Sequence, residues 1–153
     1  MPNDKSAAPA PRSTLPADEI DRLIDLHFPE IHFGGKTLFI ESITHDGCKV
    51  RLQSHPRNLR PGGTVSGPAM FALADFAVYV AILARIGDSG LQAVTSNMSL
   101  NFLRRPEPGD LVADVALLSF GRRLIVAEVR MFSASTSRLV AIATATYARP
   151  ASE

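Results

Sequence analysis

The chain of 153 residues holds one cysteine, Cys48. That excludes an internal disulfide framework and any zinc site built from several cysteines, and it suits a reducing compartment. Net charge is nearly absent, since sixteen basic residues against fifteen acidic ones leave +1 at neutral pH. Nothing electrostatic then favours a general nucleic-acid binder or a membrane-surface binder, and any anion site has to be local. The four histidines, His27, His32, His45 and His55, lack metal-ligand spacing, so no metal is implied. No G-x-S-x-G elbow, P-loop or G-x-G-x-x-G fingerprint occurs, which argues against the common hydrolase and nucleotide motifs. Residues 1–16, MPNDKSAAPAPRSTLP, contain no apolar run of the kind a secretory signal needs. Rich in Pro, Ala and Ser, they are expected to form a disordered arm, and the cytoplasm is the expected location.

What remains is one domain, residues 17–150, with 46% hydrophobic content and enough length to bury a core without metal or disulfides. Its longest apolar stretch, Pro68 to Ile86, reads PAMFALADFAVYVAILARI. As a helix it would extend roughly 28 Å. A membrane span is rejected: six alanines lower its hydrophobicity, and Asp75 lies at the costly centre. A helix apolar all round is instead expected inside a globular protein, with something wrapped around it. Ser66 or Gly67 can cap it, and Pro68 fits its first turn.

Around this helix the pattern alternates between turn signals and strand-like runs. Pro16 to Phe28 carries Ile20, Leu23 and Ile24 at helical spacing, a short amphipathic helix. Thr37 to Thr44 and Cys48 to Gln53 flank His45-Asp46-Gly47 and read as a hairpin. His55 to Val65 is a Pro- and Gly-rich loop. After a turn at Gly87 to Gly90 come four strands: Leu91–Leu103, Leu111–Phe120, Leu124–Ser133 and Leu139–Tyr147. Short connections favour antiparallel neighbours. In the first of these strands Met98, Leu100 and Phe102 alternate with Asn97, Ser99 and Asn101, which predicts a face that binds the helix. Two strands, an apolar helix and four strands predict an α+β class: the hot-dog architecture, an antiparallel sheet wrapped around a long central helix.

The run GTVSGPAMFALAD resembles the segment of PaaI-like acyl-CoA thioesterases that usually reads G-x-x-H-G-G, then an apolar stretch, then L-x-D or L-x-E. Ala93-Val94-Thr95, Leu100-Asn101-Phe102-Leu103, Pro108-Gly109-Asp110, Gly121-Arg122 and Val140-Ala141 are similar to that family's strand signatures, in the same order. The likeness covers about Gly34 to Arg149. It implies hydrolysis of an acyl-CoA thioester, with coenzyme A as part of the substrate and no other cofactor. It also implies self-association to a dimer or tetramer, with the site between subunits. In such a site Asp75 is nucleophile or general base, and the Gly67 N–H polarises the carbonyl oxygen. The chain departs from the pattern at Ser66, where the family has His, and at Pro68, where it has the second Gly.

Each candidate residue has a plainer reading beside the functional one. Asp75 is the catalytic carboxylate or a structural acid bonded to a loop or to a dimer partner. A buried carboxylate needs a partner or a raised pKa, so either role demands company for it. Gly67 lacks a Cβ and lets substrate approach a helix N-terminus, where partial positive charge favours an oxyanion. Ser66 touches substrate or merely caps the helix. Pro68 cannot donate an N–H at all. Asn58 stands for the family's loop asparagine, two residues farther upstream than usual. Tyr79, one turn after Asp75, holds a water or Asp75 itself, or is core. Thr95, Ser96 and Asn97 border the acyl pocket and one of them orients water, or they are a solvated strand edge. Arg104, Arg105, Arg122 and Arg123 grip the phosphates of coenzyme A, or are solvated strand ends. Two other functions stay open. One is a non-catalytic acyl-CoA or small-ligand binding protein on the same fold. The other, a hydratase, is disfavoured because no histidine follows Asp75 in a D-x-x-x-x-H arrangement.

Overall fold

The structure is a computed structural model and describes residues 14–150. Most of the expected N-terminal arm, residues 1–13, lies outside the described residues. Two helices, α1 (Ala17–His27) and α2 (Gly67–Ile86), accompany six strands: β1 (Leu38–Thr44), β2 (Gly47–Leu52), β3 (Val94–Phe102), β4 (Leu111–Phe120), β5 (Leu124–Ser133) and β6 (Leu139–Ala148). The strands form one antiparallel sheet in the order β1-β2-β4-β5-β6-β3. β1 and β3 are its edges. The sheet wraps α2, which is the hot-dog fold.

Strand alternation decides which face receives α2. Leu111, Ala113 and Val115 of β4, then Ile125, Ala127, Val129 and Met131 of β5, are all buried, while their neighbours in sequence are less so. The cross-strand pairs beneath the helix combine a large with a small side chain or two small ones: Met131 with Ala141, Val129 with Ala143, Ala127 with Ala145. Alanines 74, 77, 81 and 84 of α2 are themselves fully buried. Small residues on both surfaces let helix and sheet approach closely, and Leu73, Val78, Ile82 and Leu83 fill the remaining space. By length and composition α2 could cross a membrane, but two thirds of its most apolar window, 67%, is buried in the fold. Cys48 lies in this core and donates to the Ala77 carbonyl at 3.1 Å. Burial, with the Asp114 charge adding to it, pushes its thiol up to about 12, so it is an inert packing residue.

Two expectations change. β3 begins at Val94 rather than Leu91, because Leu91 N–H and Ala93 N–H close turns onto the carbonyls of Asp88 and Gly90. And β3 is not a fully helix-facing strand. Met98 and Leu100 are half-buried against the core, but Phe102 is 56% exposed. The strand is at the sheet edge, so its apolar side is only partly covered by α2.

The β1–β2 hairpin falls where Asp46-Gly47 signals it, with Thr44 paired to Gly47 across two loop residues. Gly47 serves a purpose other than a left-handed turn. A Cβ there would lie 1.7 Å from the Val115 carbonyl oxygen of β4, so glycine is what lets β4 pair against the hairpin end. Gly47→Ala is therefore expected to destabilise the protein by at least about 1–3 kcal/mol, by forcing β2 and β4 apart. Chemical denaturation checks this, and a wild-type midpoint would mean that the strands relax without loss.

Candidate active site

Asp75 sits midway along α2 on the face that carries Phe71 and Ala72, which the sheet leaves open. The carboxylate is half-buried rather than sealed in the core, so the cost expected of a charge in an apolar run is met differently. Hydroxyl groups supply its company. Thr95 Oγ1 donates to Asp75 Oδ1 at 2.5 Å, and the phenol of Tyr147 donates to the same Oδ1 and, at 2.8 Å, to the main-chain carbonyl of Asp75. Thr95 and Tyr147 are directly opposite each other on β3 and β6. The β3–β6 register slips between Thr95 and Asn97, which gives Ser96 no partner and turns the strand locally beside the carboxylate. Tyr147 is 2% exposed. Burial first, and then the hydrogen bond to Asp75, raise its phenol far above the ordinary tyrosine range, so it stays protonated and remains a donor.

These groups open onto a cleft of about 980 Å³. Its walls are largely apolar: Phe28 and Ile31 from the end of α1 and the turn after it, Phe76 of α2, Leu91 and Ala93 before β3. Phe28 packs edge-on against Tyr79 with ring centroids 6.3 Å apart, which fixes α1 as one wall. Tyr79 lines the cleft but does not bond Asp75; its hydroxyl donates to the Leu91 carbonyl at 2.8 Å, and burial raises its phenol. One turn along the helix puts Tyr79 on the right face, yet its longer side chain passes the carboxylate.

The other candidates divide into three places. Gly67 and Arg104 line a second cleft of about 600 Å³ with Arg60, Arg105 and Phe102. The Gly67 N–H donates to no described group, as expected at a helix N-terminus. A Cβ on Gly67 would touch the Phe102 ring at 3.4 Å, ordinary contact that leaves less room at that N–H. Ser66 caps α2, its Oγ accepting from Ala69 N–H at 3.3 Å. Asn58 abuts the same point, its main-chain carbonyl accepting from Ser66 N–H at 2.8 Å. Ser96 and Asn97 are exposed on β3 and line neither cleft, and Arg122 and Arg123 are exposed in the β4–β5 turn, also outside both. Along α2, Asp75 is eight residues from Gly67, a rise of about 12 Å, so a single copy does not bring the two to one atom. Tyr147 and Arg60 are the residues sequence reasoning passed over. Among the described residues no three His, Cys, Asp or Glu side chains converge to hold a metal ion.

Comparison with known proteins agrees with this architecture. A protein from Silicibacter sp. TM1040, itself named a thioesterase by inference, is 38% identical with a TM-score of 0.80, covering 94% of this chain and 97% of that one. A thioesterase from Haemophilus influenzae shares the fold at 18% identity, with a TM-score of 0.74 and coverage of 89% and 91%. An inferred esterase from Saccharolobus solfataricus is 26% identical over 97 residues, so the match spans 63% of this chain and 63% of its length. The family profile described as Thioesterase superfamily matches residues 62–140, which include all of α2, β3, β4 and β5. By sequence profile and by fold together, the chain belongs to the thioesterase superfamily.

Proposed function

We propose that the protein is an acyl-CoA thioesterase of the PaaI-like kind, a cytoplasmic homo-oligomer in which Asp75 carries the hydrolysis. The observation that carries this reading is the setting of Asp75: an ionisable carboxylate at the wall of an apolar cleft, held by hydroxyl groups rather than neutralised by a cation. An acyl chain in the cleft would bring its thioester carbonyl to the carboxylate. As general base, Asp75 takes a proton from water while the water oxygen bonds to the carbonyl carbon. The carbonyl electrons move onto oxygen, then return as the carbon–sulfur bond breaks. The coenzyme A thiolate leaves and takes up the proton. As nucleophile, Asp75 would bond to that carbon itself and release the thiolate first, leaving an anhydride for water to open.

The developing oxyanion calls for a donor, and the Gly67 N–H at the N-terminus of α2 suits it, with Asn58 beside it. Because one helix holds Gly67 and Asp75 about 12 Å apart, the reading requires Gly67 of one copy to meet Asp75 of another. Support comes from β3: an open edge whose nine residues are all exposed or half-exposed, with Val94 and Phe102 more than half exposed. An edge of this length ordinarily finds a partner. Arg60, Arg104 and Arg105 around Gly67 suit the phosphates of coenzyme A, which makes that end of α2 the nucleotide end of the proposed site.

Three measurements test the reading. Asp75→Asn is expected to lower thiol release from acyl-CoAs by about 10²–10⁴-fold with fold and oligomeric state intact. Wild-type turnover in that variant would make Asp75 structural, and no turnover by the wild type alongside measurable acyl-CoA binding would favour a binding protein. Second, mixing inactive Asp75→Asn and Gly67→Val chains through unfolding and refolding is expected to recover about a quarter of wild-type activity, the share when half the dimers are mixed and each has one complete site. No recovery would place both groups in one copy's site. Third, Arg104→Ala is expected to raise KM roughly tenfold for acyl-CoA and leave it unchanged for a short thioester lacking phosphates. The same effect from Arg122→Ala and Arg123→Ala instead would move the phosphate grip to the β4–β5 turn.

A further inference from the structure

Resting on the reading of Asp75 as the group that carries hydrolysis, we infer that Tyr147 is a positioning residue. Together with Thr95 it fixes Oδ1 of Asp75 and leaves Oδ2 as the oxygen that reacts. A free carboxylate has two equivalent oxygens, exchanged by a half-turn about the terminal bond. Here they differ. Oδ1 accepts two hydroxyl donors from a directly opposed pair on β3 and β6, whereas Oδ2 accepts none from any described residue. Tyr147 also donates to the main-chain carbonyl of Asp75 at 2.8 Å, so one phenol ties both the side chain and the backbone of this helix position to the sheet. The two donors differ in exposure. Thr95 is exposed on the edge strand, while Tyr147 is buried in the layer between α2 and β6. Its contact with Oδ1 therefore survives the entry and departure of substrate and water at the cleft.

The arrangement has a consequence for rate. The carboxylate plane is set before substrate binds, and a misdirected oxygen can cost about 10²-fold in rate.

The experiment uses full-length Tyr147→Phe, Thr95→Ala, Thr95→Ser and Asp75→Asn. For Tyr147→Phe, kcat is expected to fall about 10–100-fold with KM little changed. Thr95→Ala should lower kcat in the same way, and Thr95→Ser, which keeps the hydroxyl, should restore it. Should Tyr147→Phe fail to fold, the Thr95 pair decides the same question. A second readout needs no turnover: the infrared carboxylate bands of Asp75, obtained by subtracting the Asp75→Asn spectrum. Their splitting, widened when two oxygens are unequal, is expected to narrow in Tyr147→Phe. Unchanged kcat and splitting would overturn the inference even where Asp75→Asn is inactive. A fully active Asp75→Asn would instead sink the hydrolytic role of Asp75, and with it this inference.

Discussion

A single constraint organises the molecule, the seating of α2 along the sheet. Burial of Leu73, Val78, Ile82 and Leu83, with alanines spacing them, fixes the helix in rotation as well as position, because only one of its faces is left uncovered. Asp75 is on that open face and Gly67 is at its capped start. Neither could be moved without repacking the core, since a rigid helix transmits any shift at one end to the other. The two clefts are thus two stations on one rod. Their separation follows from eight residues of helical rise, not from loop conformation.

The electrostatic solution at Asp75 follows from where that rod lies. A lysine or arginine at this depth would have satisfied the carboxylate, but it would have neutralised the charge and brought its own desolvation cost. Hydroxyls hold the anion in place and leave its charge available to chemistry. They are supplied by β3 and β6, the two strands beside the exposed face of α2, and the β3–β6 register slips just after Thr95. The sheet therefore holds a helix carboxylate through its edge, where a bulge is tolerated most easily.

Much of this was legible in the sequence because it is written locally. A lone acid inside nineteen mostly apolar residues marks Asp75, turn-forming residues separate the strands, and Ser66 before Pro68 marks a helix start. What was not legible depends on contacts far apart along the chain. Tyr147 is 72 residues from Asp75, and as an aromatic near the end of an apolar strand it is indistinguishable from core until β6 is known to lie beside β3. Tyr79, one turn from Asp75, invited a local pairing that the Leu91 carbonyl outcompetes. Alternation in β3 identified an apolar face without saying how much of it α2 could cover, and Phe102, although beside Gly67 at the start of α2, is left more than half exposed. The arginines show the same limit, since Arg60 joins Arg104 and Arg105 from a separate loop while Arg122 and Arg123 end up elsewhere.

β3 is where these threads meet. It presents Thr95 to Asp75, borders both clefts through Val94 and Phe102, and offers an open hydrogen-bonding edge. Under the proposed function these roles are one. If two copies meet edge to edge about a two-fold axis, each supplies the same surface, and the start of one α2 can approach the middle of the other. One carboxylate and one helix N-terminus per chain then suffice for two equal sites. Such an arrangement ties reactivity to assembly, because an isolated chain has a carboxylate without an oxyanion donor and a donor without a carboxylate. It also gives Phe102 a role in keeping with its exposure, since beside Gly67 it would close the seam where a thioester has to lie out of reach of bulk water.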